Sequence, residues 1–250
     1  MRSLRLISLG LLLCCACSQA QVKEYGVKVV REYPHDRAAY TQGLFFHEGT
    51  LYETTGQYGG SMLRKVQLSS GKALQEKKLS RKYFGEGSVI LDGTLYILTW
   101  TNKVAFRYHP ETLEYQSTVS YPREGWGLTT DGKQLIASDG SANLFFLDKD
   151  LRLQRKLPVT LNGRPLRNLN ELEWIGGKVW ANVYLTDRIV VIDPSSGQVE
   201  ALIDCTGLLP AKLRDRSTDV LNGIAIDADG HIFLTGKCWP KMYQIELKKQ

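Results

Sequence analysis

"GEGSVILDGTLYILTW", residues 85–100, reads as a β-hairpin, because two short apolar strands flank a glycine-containing turn. Four other stretches align with it, although few residues are identical. They are "TQGLFFHEGTLYETTG" from Thr41, "GWGLTTDGKQLIASDG" from Gly125, "LNELEWIGGKVWANVY" from Leu169 and "LNGIAIDADGHIFLTGK" from Leu221. Their turns contain Gly49, Gly93, Gly132, Gly177 and Gly230. Their second residues fall at 42, 86, 126, 170 and 222, so the repeats are spaced by 44, 40, 44 and 52 residues.

Each repeat has room for two more strands after its hairpin. In the first repeat these read "MLRKVQL" and "KALQEKKL", with Ser69-Ser70-Gly71 between them. The fifth repeat ends before a fourth strand, and the segment "VKVVREY" (27–33) can supply it. Four strands per repeat of about 40 to 45 residues predict an all-β, five-bladed β-propeller. We expect one domain over residues 27–250, closed by the N-terminal strand in the last blade. The extra length at 205–220 predicts an insertion on one face that includes a helical turn.

The repeat register predicts which side chains meet. The start of the first strand and the end of the second lie at the same end of a hairpin, so equivalent positions converge on one rim. The starts carry Gln42, Glu86, Trp126, Asn170 and Asn222. The ends carry Gly56, Trp100, Gly140, Tyr184 and either Gly236 or Lys237. Apolar walls with a few convergent polar groups are typical of a small-molecule site. Taken singly, the same residues also fit a structural role: aromatic rings wedged between blades, asparagines capping turns and a solvated acid in a turn.

Glu86 is the candidate for chemistry at this rim. It stands in "FGEG" (84–87), and we expect the flanking glycines to allow a sharp turn and to leave room for a substrate. Aromatic walls should raise the pKa of its carboxyl through desolvation, whereas Lys237 should lower it, so the sign depends on the structure. The four histidines, His35, His47, His109 and His231, fall in no metal-ligand spacing, and no G-x-S-x-G or phosphate loop is present.

The N-terminus predicts export. Arg2 and Arg5 precede a short apolar run, which is typical of a secretory signal over residues 1–20. "LCCAC" (13–17) offers the alternative of a lipoprotein signal over residues 1–16, with Cys17 acylated. Either ending places the mature chain in a bacterial periplasm or cell envelope, with lipidation at Cys17 as its one membrane attachment. Cys205 and Cys238 remain after cleavage, and both a disulfide and two free thiols stay open.

The overall charge argues against one class of partner. The formal net charge is +6, and the basic residues are scattered along the chain. A mild, dispersed excess does not predict binding to nucleic acid.

The ordered motifs "YTQGL", "FGEG", "LTW", "EGWGLTTDG", "LNELEW" and "LNGIA", together with "VWANVY" and "TGK", resemble the plant-type glutaminyl-peptide cyclotransferases, which also occur in bacteria. The resemblance runs from about Val27 to Leu247. It implies a five-bladed propeller that converts the N-terminal glutamine of peptides or proteins to pyroglutamate, releases ammonia and needs no metal or other cofactor.

The resemblance also implies roles. Matched motif by motif, Glu86 is the catalytic acid and base, and Lys237 and Asn170 stabilise the oxyanion or orient the amide. Gln42, Trp100, Trp126, Tyr184 and Asn222 are the expected substrate-binding residues. Two positions depart from the family pattern: Tyr184 stands where tryptophan is common, and Arg37 where proline is frequent. We expect a monomer. Two competing hypotheses are a non-catalytic envelope propeller that binds peptide or glycan, and a propeller lactonase or lyase.

Overall fold

The computed structural model describes residues 21–249, and the predicted signal segment lies outside them. The described chain is all-β, with a single short 3₁₀ turn, Ala211–Leu213, inside the segment expected to be an insertion. None of its helical segments has the length and apolar character needed to cross a membrane.

Three four-stranded antiparallel sheets follow one another along the first part of the chain. Each is a meander whose strands lie side by side in chain order. The first has β2 (Thr41–His47), β3 (Thr50–Thr55), β4 (Met62–Gln67) and β5 (Lys72–Lys78). The second has β6 (Gly85–Leu91), β7 (Thr94–Thr99), β8 (Val104–Tyr108) and β9 (Tyr115–Ser120). The third has β10 (Leu128–Thr130), β11 (Leu135–Ala137), β12 (Asn143–Leu147) and β13 (Leu153–Pro158).

The remaining part of the chain forms one eight-stranded sheet and a small hairpin. The hairpin, which the sequence did not predict, pairs β14 (Thr160–Leu161) with β15 (Arg164–Pro165). The large sheet has the order β16-β17-β18-β19-β1-β22-β21-β20. Its strands are β1 (Lys23–Pro34), β16 (Leu169–Ile175), β17 (Lys178–Val183), β18 (Arg188–Ile192), β19 (Val199–Asp204), β20 (Leu221–Ile226), β21 (Ile232–Gly236) and β22 (Lys241–Lys249).

Strand β1 joins the last two repeats. It is longer than the expected 27–33, and it pairs antiparallel with β22 from Tyr25 to Pro34, as the closure hypothesis requires. Its first residues also pair in parallel with β19, from Lys23 to Gly26, which the sequence did not predict. This second pairing merges the fourth and fifth repeats into one sheet.

The first strands of the five repeats contact one another in a ring. β2 packs against β6, β6 against β10, β10 against β16, β16 against β20, and β20 against β2. Hydrophobic clusters fill the spaces between neighbouring sheets; Leu98 and Leu128, for example, pack together between the second and third sheets. Burial of these side chains drives the packing, at about 25 cal/mol per Å² of apolar surface.

The hairpin turns have the geometry that their glycines predict. Gly49, Gly93 and Gly177 have φ values of 75°, 69° and 77°, and the residue before each also has a positive φ. Two successive positive φ values are the pattern of the tight turns that match the twist of paired strands. The register set by such a turn holds along the hairpin until close to the rim, as the pairing from His47↔Thr50 to Gly43↔Thr54 shows.

A buried charged cluster fastens the point where the chain closes. The His35 imidazole contacts the Trp239 carbonyl oxygen (2.7 Å) and Glu53 Oε1 (2.9 Å), both of which only accept hydrogen bonds. Both ring nitrogens must therefore donate, so the imidazole is charged. Although burial lowers the pKa of His35, the Glu53 carboxylate outweighs it and raises the pKa overall. Arg64 bonds to Glu53 and, at 2.6 Å, to Asp36, so the cluster ties the first sheet to the β21–β22 connection.

The two cysteines of the described chain are not paired. Cys205 is buried and Cys238 is partly buried, and both are free thiols.

Candidate active site

A β-bulge interrupts the first strand of four repeats at the rim position. In β6 the pairing with β7 shifts between Gly85 and Ser88, so Glu86 falls in the interruption. The same shift occurs around Gln42 in β2, around Asn170 in β16 and around Asn222 in β20. Bulges bend a strand locally and re-aim a side chain, and they are common beside active sites. The bulge therefore gives these four residues an orientation that regular pairing would not.

One cavity of about 170 Å³ opens at this end of the ring. Seven of the eight predicted site residues line it, together with two that the sequence analysis missed. The lining consists of Tyr40, Gln42, Phe84, Glu86, Trp100, Trp126, Asn170, Tyr184 and Lys237.

Asn222, the eighth predicted residue, lies behind the cavity instead of lining it. It is fully buried, and its Nδ2 donates to the Thr41 carbonyl oxygen (2.9 Å) and to Gln42 Oε1 (3.2 Å). Because Gln42 Oε1 accepts from Asn222, the Gln42 Nε2 faces the other way and donates to Glu86 Oε1 at 3.1 Å. Asn222 thus sets the orientation of an amide that touches Glu86.

Glu86 is a buried acid with one oxygen free. Its side chain bonds to Gln42 through Oε1, and Oε2 has no hydrogen-bond partner among residues 21–249. Burial raises the pKa of the Glu86 carboxyl well above its ordinary value of 4.5, and the charge on Lys237 lowers it by less. The net shift of the Glu86 pKa, whose direction the sequence left open, is therefore upward. A carboxyl with a raised pKa is suited to exchange a proton with a substrate.

Lys237 is held by aromatic rings. Its Nζ lies 4.8 Å from the ring centroid of Tyr40 and 4.8 Å from that of Tyr184. It forms no salt bridge with any carboxylate of the described chain. Burial lowers the pKa of its ammonium, and the nearby Glu86 raises it by less. Cation–π contacts hold the cation while leaving its three N–H donors free for a ligand.

Asn170 has an unused acceptor. It is buried, and its Oδ1 has no hydrogen-bond partner within the part of the chain that the structure describes. A buried polar atom without a partner is costly. The residue that carries this one lines the cavity, so a ligand bound there is a candidate partner.

Aromatic rings form the walls. Phe84 packs edge-on to Trp100 with centroids 5.6 Å apart, and Trp126 packs edge-on to Tyr184, also at 5.6 Å. Two of these rings, those of Phe84 and Trp126, pack directly against a glycine, where a side chain would occupy the position of the ring. A Cβ on Gly140 would lie 2.6 Å from the Trp126 ring.

The glycines of "FGEG" have a different use from the one expected. A Cβ on Gly87 would lie 2.4 Å from the Leu128 nitrogen and 2.6 Å from the Trp126 carbonyl oxygen, to which Gly87 N–H donates. A Cβ on Gly85 would lie 3.0 Å from the Thr55 carbonyl oxygen. The expectation that these glycines leave room for a substrate is therefore wrong, because neighbouring backbone fills the space.

Tyr40 and Phe84, the two missed lining residues, share a repeat position. Each stands two residues before the rim residue of its repeat, Gln42 or Glu86. Tyr40 also donates from its hydroxyl to Asp219 Oδ2 at 2.9 Å. The signal was present, since extending the alignment two residues upstream would have found both.

Within residues 21–249, the side chains that could jointly hold a metal ion form one group, Asp227, Asp229 and His231. They lie at the β20–β21 turn, which is the far end of that hairpin from the rim. The cavity itself offers one carboxylate, two amides and an ammonium, a poor donor set for zinc.

The chain is similar, in sequence and in structure, to proteins of known activity. A sequence model described as glutamine cyclotransferase matches residues 5–247. Over 229 residues the chain is 43% identical to a glutaminyl-peptide cyclotransferase of Arabidopsis thaliana, an alignment that covers 89% of this chain and 72% of that protein. The crystal structure of Myxococcus xanthus glutaminyl cyclase is similar with a TM-score of 0.85 and 35% identity, and it covers 92% of this chain and 100% of that one.

Proposed function

The chain belongs to the glutamine cyclotransferase family and is a glutaminyl-peptide cyclotransferase, and we propose that its reaction takes place in the Glu86 cavity. The enzyme converts an N-terminal glutamine to pyroglutamate and releases ammonia. The observation that carries the proposal is a buried carboxyl with a free oxygen, which shares an aromatic cavity with an unpaired amide and an unpaired ammonium. Drug-sized ligands need about 300–1,000 Å³. A cavity of about 170 Å³ suits one amino-acid residue, with the following chain outside.

The frame of this cavity is, in our proposal, a five-bladed propeller. Three blades correspond to the three separate four-stranded sheets. The eight-stranded sheet supplies the other two, β16-β17-β18-β19 and β20-β21-β22-β1, which meet where β1 pairs with β19. The contacts among the five first strands, which form a ring, also support this frame. In that frame each rim residue belongs to a different blade, so the site depends on closure of the whole ring.

Cyclisation is intramolecular, which sets the enzyme's task. The α-amine attacks the side-chain carbonyl carbon of the same residue, so much of the barrier is removed by holding the folded conformer. Trp100, Trp126, Phe84 and Tyr184 would clamp the methylene chain and exclude water. A dry site also strengthens the electrostatic interactions within it.

Glu86 would move the proton. In the reaction of a neutral amine, the attacking nitrogen loses one proton and the departing nitrogen gains one. A single carboxyl can accept the first through Oε2 and deliver it to the second, which leaves as ammonia. A raised pKa suits this exchange, because proton transfer is efficient when donor and acceptor have similar affinities. Gln42, which donates to Oε1, would keep the free oxygen aimed at the substrate.

Lys237 and Asn170 would divide the remaining work. The three free N–H donors of Lys237 suit the oxyanion that develops on the glutamine carbonyl oxygen. The unpaired Oδ1 of Asn170 suits the N–H groups of the side-chain amide, which it would orient for departure. This division assigns no step to a metal ion. Secretion to the periplasm or envelope, by either predicted signal, remains part of the proposal.

Ammonia release from a peptide that begins with glutamine tests the function, in the presence of a chelator. We expect activity that survives chelation and falls by about 10²- to 10⁴-fold in Glu86→Gln, with the circular dichroism spectrum unchanged. Glu114→Gln, an exposed acid away from the cavity, serves as the matched control. Binding of the peptide without ammonia release would favour the non-catalytic alternative. Activity lost to the chelator and restored by a metal would refute the metal-free mechanism.

A further inference from the structure

Two tryptophans of the cavity wall bond to the same carboxylate oxygen. Trp100 Nε1 donates to Glu124 Oε2 at 3.1 Å, and Trp126 Nε1 donates to the same Oε2 at 3.2 Å. Glu124 itself is exposed and does not line the cavity. Its position in the repeat is that of Tyr40 and Phe84, two residues before the rim residue.

The two rings come from different sheets. Trp100 follows β7 of the second sheet, whereas Trp126 precedes β10 of the third. Glu124 lies in the segment that connects these sheets, and that segment is fastened to the end of β7. Gly125 N–H donates to the Thr99 carbonyl oxygen at 3.0 Å, and a Cβ on Gly125 would lie 2.7 Å from that oxygen. The backbone thus sets the carboxylate where both indoles can reach it.

Apart from Glu124, these indoles are held by packing contacts alone, including that of Trp126 over Gly140. Trp100 is 38% exposed and touches Phe84 only edge-on, and Trp126 is half-buried against Tyr184. Neither indole N–H has another hydrogen-bond partner among the described residues. A hydrogen bond to a charged acceptor contributes more to the ordering of a side chain than an edge-to-face ring contact does. The shared acceptor therefore contributes at least as much to the ordering of these two partly exposed indoles as either edge-on ring contact does.

We propose that Glu124 is a positioning residue that ties Trp100 and Trp126 together across the junction of two sheets, and so fixes the width of the cavity at its mouth. The proposal rests on the proposed function, since that width matters only if the cavity takes the glutamine side chain. Glu124 contacts the walls and not the reacting atoms. Its loss should weaken substrate binding more than it slows the chemistry.

A pair of variants separates the hydrogen bonds from the charge. Because one oxygen accepts both indole N–H groups, the amide oxygen of Glu124→Gln can still accept both. Glu124→Ala cannot. We expect KM for a glutamine peptide to rise about tenfold in Glu124→Ala with kcat within about threefold, and KM in Glu124→Gln to stay within about threefold of wild type. Glu114→Ala is the matched control for removing an exposed acid.

Tryptophan fluorescence gives a readout that does not depend on catalysis. Freed indoles should be quenched more strongly by acrylamide in Glu124→Ala than in wild type or Glu124→Gln. A KM in Glu124→Ala equal to that in Glu114→Ala, or a Glu124→Gln as impaired as Glu124→Ala, would overturn the proposal. If wild type releases no ammonia, the proposed function fails, yet unequal quenching would still show that Glu124 restrains the rings.

Discussion

Gly140→Ala should distort the wall of the Glu86 cavity through a single methyl group. Gly140 has φ = +76°, and a Cβ there would lie 2.6 Å from Cζ2 and 2.7 Å from Cη2 of Trp126. To reach an ordinary contact of 3.4 Å, the ring must move by about 0.8 Å. The ring already contacts Tyr184 and hydrogen-bonds Glu124, so it cannot move without changing the cavity wall.

A second glycine of the same sheet separates strain from displacement. Gly132 has φ = +84°, but a Cβ there would meet nothing within 4 Å. Gly132→Ala therefore imposes only the left-handed backbone strain, about 1–2 kcal/mol. Gly140→Ala adds overpacking, which costs about 1–3 kcal/mol more. The difference between the two variants in free energy of unfolding isolates the clash with Trp126.

The assay is ammonia release from a glutamine peptide, with stability measured by denaturant titration. A wall misplaced by about 1 Å can cost up to about a hundredfold in rate. We expect kcat/KM to fall about tenfold to a hundredfold in Gly140→Ala and to stay within about twofold in Gly132→Ala. If the two variants had equal kcat/KM, the Trp126 ring would not be a wall whose position matters, and the reasoning would fail.

Three further predictions concern the polar groups. Lys237→Met removes a positive charge that lowers the pKa of Glu86, so the pKa of Glu86 should rise. The acid limb of the plot of kcat/KM against pH should therefore move to higher pH. An acid limb at the wild-type pH or below it would contradict this. Asn222→Ala leaves Gln42 Oε1 without its donor, so kcat should fall about tenfold and unfolding free energy by about 1–3 kcal/mol, measured by kinetics and denaturant titration. Glu171→Gln replaces one carboxyl oxygen by an NH₂ group that faces a backbone N–H donor, so the free energy of unfolding should fall. Because Glu171 does not line the cavity, kcat/KM should stay within about threefold of wild type. A folded Glu171→Gln variant without activity would contradict this purely structural role.

The sequence could predict which residues line the cavity because the pairing register of a hairpin is set by its turn. Turn glycines such as Gly93 fix which residues of a hairpin are opposite, and the repeat carries that register around the ring. Glu86, Asn170 and Trp100 were therefore predicted to meet although they are distant in the chain, and they do line one cavity.

What the sequence could not give depends on contacts between repeats. The bulge at Asn222 turns it behind Gln42, and nothing in one strand's pattern distinguishes that from a lining position. The atoms that fill the space at Gly87 come from the next sheet. The parallel pairing of Lys23–Gly26 with β19 likewise joins segments at opposite ends of the chain. Such contacts follow from the packed ring and not from local periodicity.

Several buried glutamates show why burial and pKa alone do not identify the catalytic acid. The pKa of Glu53 is lowered, because Arg64 and His35 outweigh the effect of burial. The pKa of Glu171 is raised well above its ordinary value, as that of Glu86 is, first by burial and then by a neighbouring glutamate.

Access distinguishes Glu171 from Glu86. Both Glu171 oxygens accept backbone N–H groups, from Leu44 in β2 and Ile224 in β20. Its carboxyl thus fastens three strands of the inner ring and has no oxygen to offer a substrate. Glu86 combines a raised pKa with an oxygen that has no partner within residues 21–249 and a place on the cavity wall. In the proposed mechanism this difference makes Glu86, and not Glu171, the carboxyl that can exchange a proton with a substrate.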